Sequence, residues 1–261
     1  MTRPRLFDAH FHVIDPAHPL VENNGYLPDP FTAQDYLRRV AELNVAGGAV
    51  VSGSFQAFDQ GYLRDALSVL GPGFVGVTQI PADTTDGTIR DLDRAGIRAV
   101  RFNLKRGGSA GTDDLAALAR RVHDLVGWHT ELYVDARELD GLEDVLSRLP
   151  AVSIDHLGMH RDGVPALLRL VERGVKVKAT GFGRVDLDPA TVIRQIMEID
   201  PSALMVGTDL PSTRAARPFT DTDLDLIAEV VTDTAGADHV EDVFWNNAAH
   251  FYRGASDLTD R

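Results

Sequence analysis

Short apolar runs recur along the chain, separated by stretches in which apolar residues return every three or four positions. The runs at 6–12, 46–52, 74–79, 99–102, 131–134, 152–155, 175–179 and 204–207 have strand length. The segments at 32–43, 114–126 and 189–199 are amphipathic at helical spacing. Eight strand-and-helix units predict one (β/α)8 barrel domain over residues 1–261, an α/β architecture that takes about 250 residues. An open doubly wound sheet alternates in the same way. No Gly-rich phosphate loop follows the first strand here, however, and eight even units favour closure.

Local signals agree with this parse. Thr32 followed by Asp35, Thr112 in Gly-Thr-Asp-Asp and Asp188 before Pro189 carry helix-start chemistry. Gly71, Gly96, Gly127 and Gly174 stand at helix-to-strand returns, where a helix C-terminus is finished by glycine. The irregular stretch 15–30, with four prolines, predicts a loop over the end of the first strand.

Composition narrows the class. A content of 44% hydrophobic residues is ordinary for a globular core, and no run approaches the ~18 apolar residues of a membrane helix. The opening Met1-Thr2-Arg3-Pro4-Arg5 runs into a strand with no signal-peptide core, so a cytoplasmic location is expected. The absence of cysteine removes disulfides and thiolate chemistry. A net charge of −13 argues against a nucleic-acid partner. It leaves room for an anionic small-molecule substrate in a locally basic pocket, for which Arg101, Lys105, Lys178 and Arg184 stand near strand ends. A homo-oligomer is compatible with the sequence.

Barrel chemistry sits at the C-terminal ends of the strands. His10 and His12, two apart, face the same way on the first strand. Other strands end at or just beyond Ser54, Gln79, Arg101, Tyr133 with Asp135, His156, Lys178 and Asp209. Imidazoles with a carboxylate suit a Zn²⁺-type ion. They equally suit a metal-free hydrolytic site in which the carboxylate takes a proton from water. Each residue also has a plainer reading. His10 and His12 can simply close a strand, and Asp209 can cap a turn in Thr-Asp-Leu-Pro. Arg101 and Arg184 can be salt-bridge partners, Asp135 a cap and Lys178 a rim residue paired with an acid. His160 competes with His156, and His18, His123, His129, His239 and His250 are expected at the surface.

The ordered set Asp8-Ala9-His10-Phe11-His12, Gly-Ile-Arg-Ala-Val-Arg-Phe-Asn-Leu-Lys ending at Lys105, Ile-Asp-His-Leu-Gly around His156, Gly207-Thr208-Asp209-Leu210-Pro211 and Asn246-Asn247-Ala248 resembles the amidohydrolase superfamily. Within it the chain looks like the group containing 2-pyrone-4,6-dicarboxylate lactonase and the sugar-acid lactonases. The resemblance implies a catalytic centre of His10, His12 and His156 with Asp209 as general base, and substrate contacts from Ser54, Arg101, Tyr133 and Arg184. It also implies either no cofactor or a single weakly bound divalent metal, zinc first, on His10, His12, His156 and Asp209. In two places the chain departs from the dicarboxylate lactonase: Met159 follows the sixth strand, and Lys105-Arg106-Gly107-Gly108 follows the fourth. The function so implied is a hydrolase, a lactonase acting on a small anionic lactone or ester by Asp-activated water attack with His polarisation of the carbonyl. Its rivals are a metal-dependent decarboxylase of an aromatic or enoic acid and a non-catalytic small-molecule binding protein.

Overall fold

Eight parallel strands succeed one another in chain order, each paired with the next, in a computed structural model that describes residues 3–253. Met1 and Thr2, part of the start from which a cytoplasmic location was expected, and residues 254–261 of the expected domain lie outside the described residues. The strands are β1 (Leu6–Phe11), β2 (Val45–Val51), β3 (Phe74–Thr78), β4 (Ile97–Asn103), β5 (His129–Tyr133), β6 (Val152–Ile154), β7 (Lys176–Ala179) and β8 (Leu204–Val206). Between them run α1 (Ala33–Arg39), α2 (Gly61–Leu70), α3 (Asp86–Arg94), α4 (Thr112–Val126), α5 (Glu143–Leu146), α6 (Val164–Val171) and α7 (Pro189–Ile199). After β8 come α8 (Asp221–Ala235) and a C-terminal helical stretch ending in Asn247–Arg253. This is the (β/α)8 barrel that the sequence predicts. Among the described residues no helix is long and apolar enough to cross a membrane.

Successive side chains of a strand alternate between the barrel interior and the helical layer. Val50, Val100 and Phe102 therefore join the large core under the helices, while Ala49, Val51 and Ala99 join Phe7, Ala9, Val75, Val77 and Met205 inside. The inner cluster is completed by Trp245, Ala248, Ala249 and Tyr252 of the C-terminal stretch, with Phe7 stacked on Tyr252 at 5.3 Å.

The seam between β1 and β8 is closed by the segments that follow them. Asp209 N–H donates to His10 O and His12 N–H to Leu210 O, both at 2.7 Å. The buried carboxylate of Asp8 accepts Thr208 N–H (2.8 Å), Thr208 Oγ1–H (2.7 Å), Tyr36 O–H (2.9 Å) and His10 N–H (3.2 Å). Only glycine fits at Gly207 in this seam, since a Cβ there would lie 2.8 Å from His10 N.

The helix-start signals divide. Thr32 and Asp35 form a capping box on α1, and Asp188 caps α7 ahead of Pro189. Thr112, however, is the first residue of α4 rather than its cap. Gly111 holds the extended cap position without a side-chain bond, and Asp113 and Asp114 complement the helix dipole instead. The expected helix at 32–43 is regular only to Arg39, because the chain must turn through Asn44 (φ +56°) to enter β2. The 15–30 loop is pinned at its base by the Ile14–Phe31 bridge and contains a tight turn from Asn23 to Tyr26.

Candidate active site

The barrel seam brings His10, His12 and Asp209 together, and the turn after β6 adds His156. Ring centroids of His10 lie 5.1 Å from those of His12 and 4.9 Å from those of His156. All four residues are buried. His156 and Asp209 have positive φ (+55° and +58°), a backbone region that non-glycine residues enter at a cost and that clusters at functional sites. Gly181 makes the room: a Cβ there would sit 2.6 Å from His156 Nδ1 and 3.1 Å from Asp209 Oδ2.

Hydrogen bonding assigns the tautomers. His12 Nδ1 lies 2.7 Å from Val51 O, and a carbonyl can only accept, so Nδ1 carries the proton and Nε2 is bare. His10 Nδ1 lies 3.2 Å from the ionised Asp155 Oδ1 without hydrogen-bond geometry, and the negative charge beside it favours the proton on Nδ1 and a bare Nε2. Both Nε2 atoms face Asp209 Oδ1, at 3.9 Å from His10 and 3.7 Å from His12. Three proton-accepting atoms thus converge with no donor between them, and His10 Nε2 and Asp209 Oδ1 are buried without a hydrogen-bond partner. Such a set suits a cation or a donating water. His10, His12 and Asp209 could hold a metal ion, as could His10, Asp155 and His156. The second triad is the poorer one, because Lys178 Nζ lies 3.3 Å from Asp155 Oδ1.

The electrostatics follow from burial and neighbours. Burial pushes His10 down to about 4, with Lys178 adding to the effect and Asp155 opposing it. Burial also holds His156 well below the usual imidazole range, helped by Arg184. Burial alone would raise Asp209, but the Arg184 guanidinium, bonded to Oδ2 through Nε (2.9 Å) and Nη2, holds it well below the carboxylate range, with His156 helping. Asp155 is likewise ionised despite its burial, by Lys178 and by Arg101, whose Nη2 donates to it at 2.7 Å.

Above this floor opens a narrow cavity lined by His12, Ser54, Tyr133 and His156 together with Arg101, Arg106, Arg184 and Arg214. No Asp or Glu is among its lining residues. The Tyr133 hydroxyl is buried, close enough to Arg184 to affect its charge but without a partner at hydrogen-bond geometry. Residues 7–254 match the amidohydrolase family.

The chain belongs to the amidohydrolase family.

This amidohydrolase is 34% identical over 157 residues to a 2-pyrone-4,6-dicarboxylate hydrolase of Comamonas testosteroni, a match covering 58% of the chain and 51% of that enzyme. The chain thus spans about half the length of this relative. It is 26% identical over 229 residues to a 4-sulfomuconolactone hydrolase of Hydrogenophaga intermedia, covering 80% of the chain and 75% of the relative. The fold is shared with the crystal structure of a probable 2-pyrone-4,6-dicarboxylic acid hydrolase of Acinetobacter baumannii with citric acid bound. That likeness has a TM-score of 0.81 at 23% identity and covers 95% of this chain and 99% of that one.

Several residues of this amidohydrolase stand elsewhere than the sequence suggests. Lys178 is not at the rim: it lies on β7 inside the barrel, fully buried, with Nζ 2.5 Å from Glu131 Oε2. Lys105 turns away from the cavity to pair with Asp135 at 2.7 Å. Asp135 is satisfied by Lys105, by Arg137 and as a cap, and bonds no imidazole. His160 caps the next turn and faces Asp186, which leaves the site to His156. His129, expected at the surface, is buried, because β5 begins two residues before the apolar run and turns His129 inward beside Glu131 (3.1 Å). Sequence reasoning also missed Arg106 and Arg214 as lining residues. Both lie in loops, where no periodicity tells which way a side chain points.

Proposed function

We propose that the protein hydrolyses a small anionic lactone or related ester at this site. The observation that carries the reading is the convergence of His10 Nε2, His12 Nε2 and Asp209 Oδ1 beneath a cavity lined by four arginines and no carboxylate. The acceptor atoms orient a water by its hydrogens, and the arginines receive an anion by charge-assisted, bidentate bonds. The names of the two relatives, both lactone or pyrone hydrolases, support the same class.

In this mechanism Asp209 takes a proton from the water as its oxygen attacks the lactone carbonyl. While neutral, His10 and His12 accept rather than donate, so polarising the carbonyl falls to His156, with the Tyr133 hydroxyl as a second donor to the oxyanion. The intermediate collapses by breaking the ring C–O bond, and Asp209 returns its proton to the leaving oxygen. Ser54, Arg101 and Arg184 hold the substrate. Each arginine does so through its remaining N–H groups, because three N–H bonds of Arg101 already go to Asp155 and Ser52 O and three of Arg184 to Asp209 and Thr213 O.

The donor set of two imidazole nitrogens and a carboxylate oxygen also fits a single divalent ion of zinc type, held by His10, His12 and Asp209. Such an ion would supply Lewis-acid polarisation and a more acidic water.

The test is a panel of anionic and neutral lactones assayed with and without chelator, with carbon dioxide release followed in parallel. Ring opening of an anionic lactone is expected. Carbon dioxide release without ring opening would reassign the site to decarboxylation, and an inert panel that nevertheless binds would reduce it to a binding protein.

A further inference from the structure

Arg101 and Arg184 are each paired with a buried carboxylate, Asp155 and Asp209. The two remaining guanidiniums of the cavity, Arg106 and Arg214, have no acidic partner among the ion pairs of the described residues, and Arg106 Nε is buried with no hydrogen-bond partner. They come from the loops after β4 and β8, and a third loop joins them. Asn23 and Tyr26 flank a two-residue turn in which Asn24 (φ +51°) and Gly25 (φ +73°) are both left-handed, the hairpin geometry that an Asn-Gly pair favours. Asn23 N–H donates to Tyr26 O at 3.0 Å and Tyr26 N–H to Asn23 O at 3.2 Å, so the turn is closed from both sides.

Asn23 and the Tyr26 ring of this turn engage both cavity loops. Arg214 Nη2 donates to Asn23 O and, at 3.1 Å, to Asn23 Oδ1. The Arg214 guanidinium stands over the Tyr26 ring, 4.3 Å from its centroid. Asn23 Nδ2 donates to Arg106 O at 3.1 Å. One side chain therefore ties both unpaired arginine loops to a rigid turn. Arg214 itself has φ +59°, a conformation glycine would enter freely, and the chain carries an arginine there. None of these contacts involves an imidazole or Asp209.

We propose that the turn from Asn23 to Tyr26 is a clamp that fixes the Arg214 guanidinium at the cavity mouth, making Arg214 a specificity-determining residue for the substrate's anionic group and Asn23 its positioning residue. The inference rests on the anionic-substrate reading of the cavity. A long cationic side chain must be ordered before it can grip an anion, and the stacking and the two acceptor atoms of Asn23 order it in advance, so less freedom is lost on binding.

The test uses Arg214→Met, Asn23→Ala and Gly25→Val. The last places its new side chain in open space and opposes only the turn's left-handed backbone. Arg214→Met is expected to raise KM for an anionic lactone ~10- to 100-fold with a much smaller change in kcat. Asn23→Ala and Gly25→Val should raise it roughly 2- to 10-fold, and KM for the methyl ester of the same lactone should move in none of the three. Calorimetric binding of glutarate against its monomethyl ester reads the same preference without turnover. The wild type should favour the dianion, Asn23→Ala and Gly25→Val less so, and Arg214→Met not at all. Equal preference in the wild type and the variants, or none in the wild type, overturns the clamp. If glutarate binding follows Asn23 while no lactone is opened, the clamp stands and the hydrolytic reading falls. If lactones are opened with KM indifferent to Asn23 and Arg214, the reverse holds.

Discussion

At the scale of single residues the site is a problem of proton inventory. Asp209 is ionised at every working pH because Arg184 outweighs its burial, so protonation of Asp209 does not set the acid limb of the rate. The His10 imidazole stays neutral down to about 4, and its Nε2 is an acceptor only in that form. That acceptor is present above about 4 and lost as pH falls through it. In an NMR titration His10 should therefore stay neutral from pH 7 to about 5, and a His10 that takes up its proton near 6.5, the ordinary imidazole value, would refute this assignment. Asp209→Asn keeps the shape and removes the basicity. We expect kcat to fall ~10²–10⁴-fold in a protein that still folds but has a lowered urea midpoint, because Arg184 loses its buried counter-charge. Full turnover by a folded Asp209→Asn would eliminate the general-base role.

At the scale of elements the decisive feature is the seam between β1 and β8, whose strands do not form a paired ladder. Closure depends instead on Asp8, whose carboxylate accepts four hydrogen bonds from Thr208, Tyr36 and His10. Asp8→Asn replaces one acceptor oxygen with an amide that faces donors, leaving buried hydroxyls or N–H groups unmatched. The expected cost is about 1–3 kcal/mol, measured by urea unfolding at neutral pH. Because the same seam brings Asp209 to His10 and His12, activity should fall with it. An unchanged stability would show that the seam is held by its two backbone bonds alone.

At the scale of the whole molecule, the barrel interior is tied to the C-terminal helical stretch by buried polar groups. Glu131 accepts Lys178 Nζ and the Tyr252 hydroxyl and faces His129. Burial opposes its ionisation, but Lys178 and His129 hold it down to about 2 against an ordinary 4.5. A depressed carboxylate contributes stability above its unfolded value and loses it as pH falls. Glu131 should thus add to stability above pH 4.5 and cease to do so as pH falls towards about 2. Tyr252→Phe removes one of its donors and should cost about 1–3 kcal/mol at neutral pH by urea unfolding. A Tyr252→Phe protein of wild-type stability would mean that the helix is held by its apolar contacts with the inner cluster alone.

Eight apolar runs at even spacing were enough for the barrel, because burial between an inner and an outer layer demands apolar strands wherever they lie. His10, His12 and Asp209 were legible for a similar reason: alternation along a strand decides which face His10 and His12 share, and barrel chemistry collects at strand ends. What alternation cannot show is the partner across the interior. Lys178 read as a rim residue because its buried partners lie elsewhere in the barrel, Glu131 on β5 and Asp155 just after β6. His129 read as exposed because one strand begins earlier than its apolar run. The tautomers of His10 and His12 depend on Asp155 and on Val51 O, 145 and 39 positions away in the chain. The Asn24-Gly25 turn is a local signal, but its contact with Arg214, 191 positions from Asn23, exists only once the barrel has brought three loops to one mouth. Periodicity is local and so belongs to the sequence. Pairing of charges across the barrel is long-range, and only the closed fold decides it.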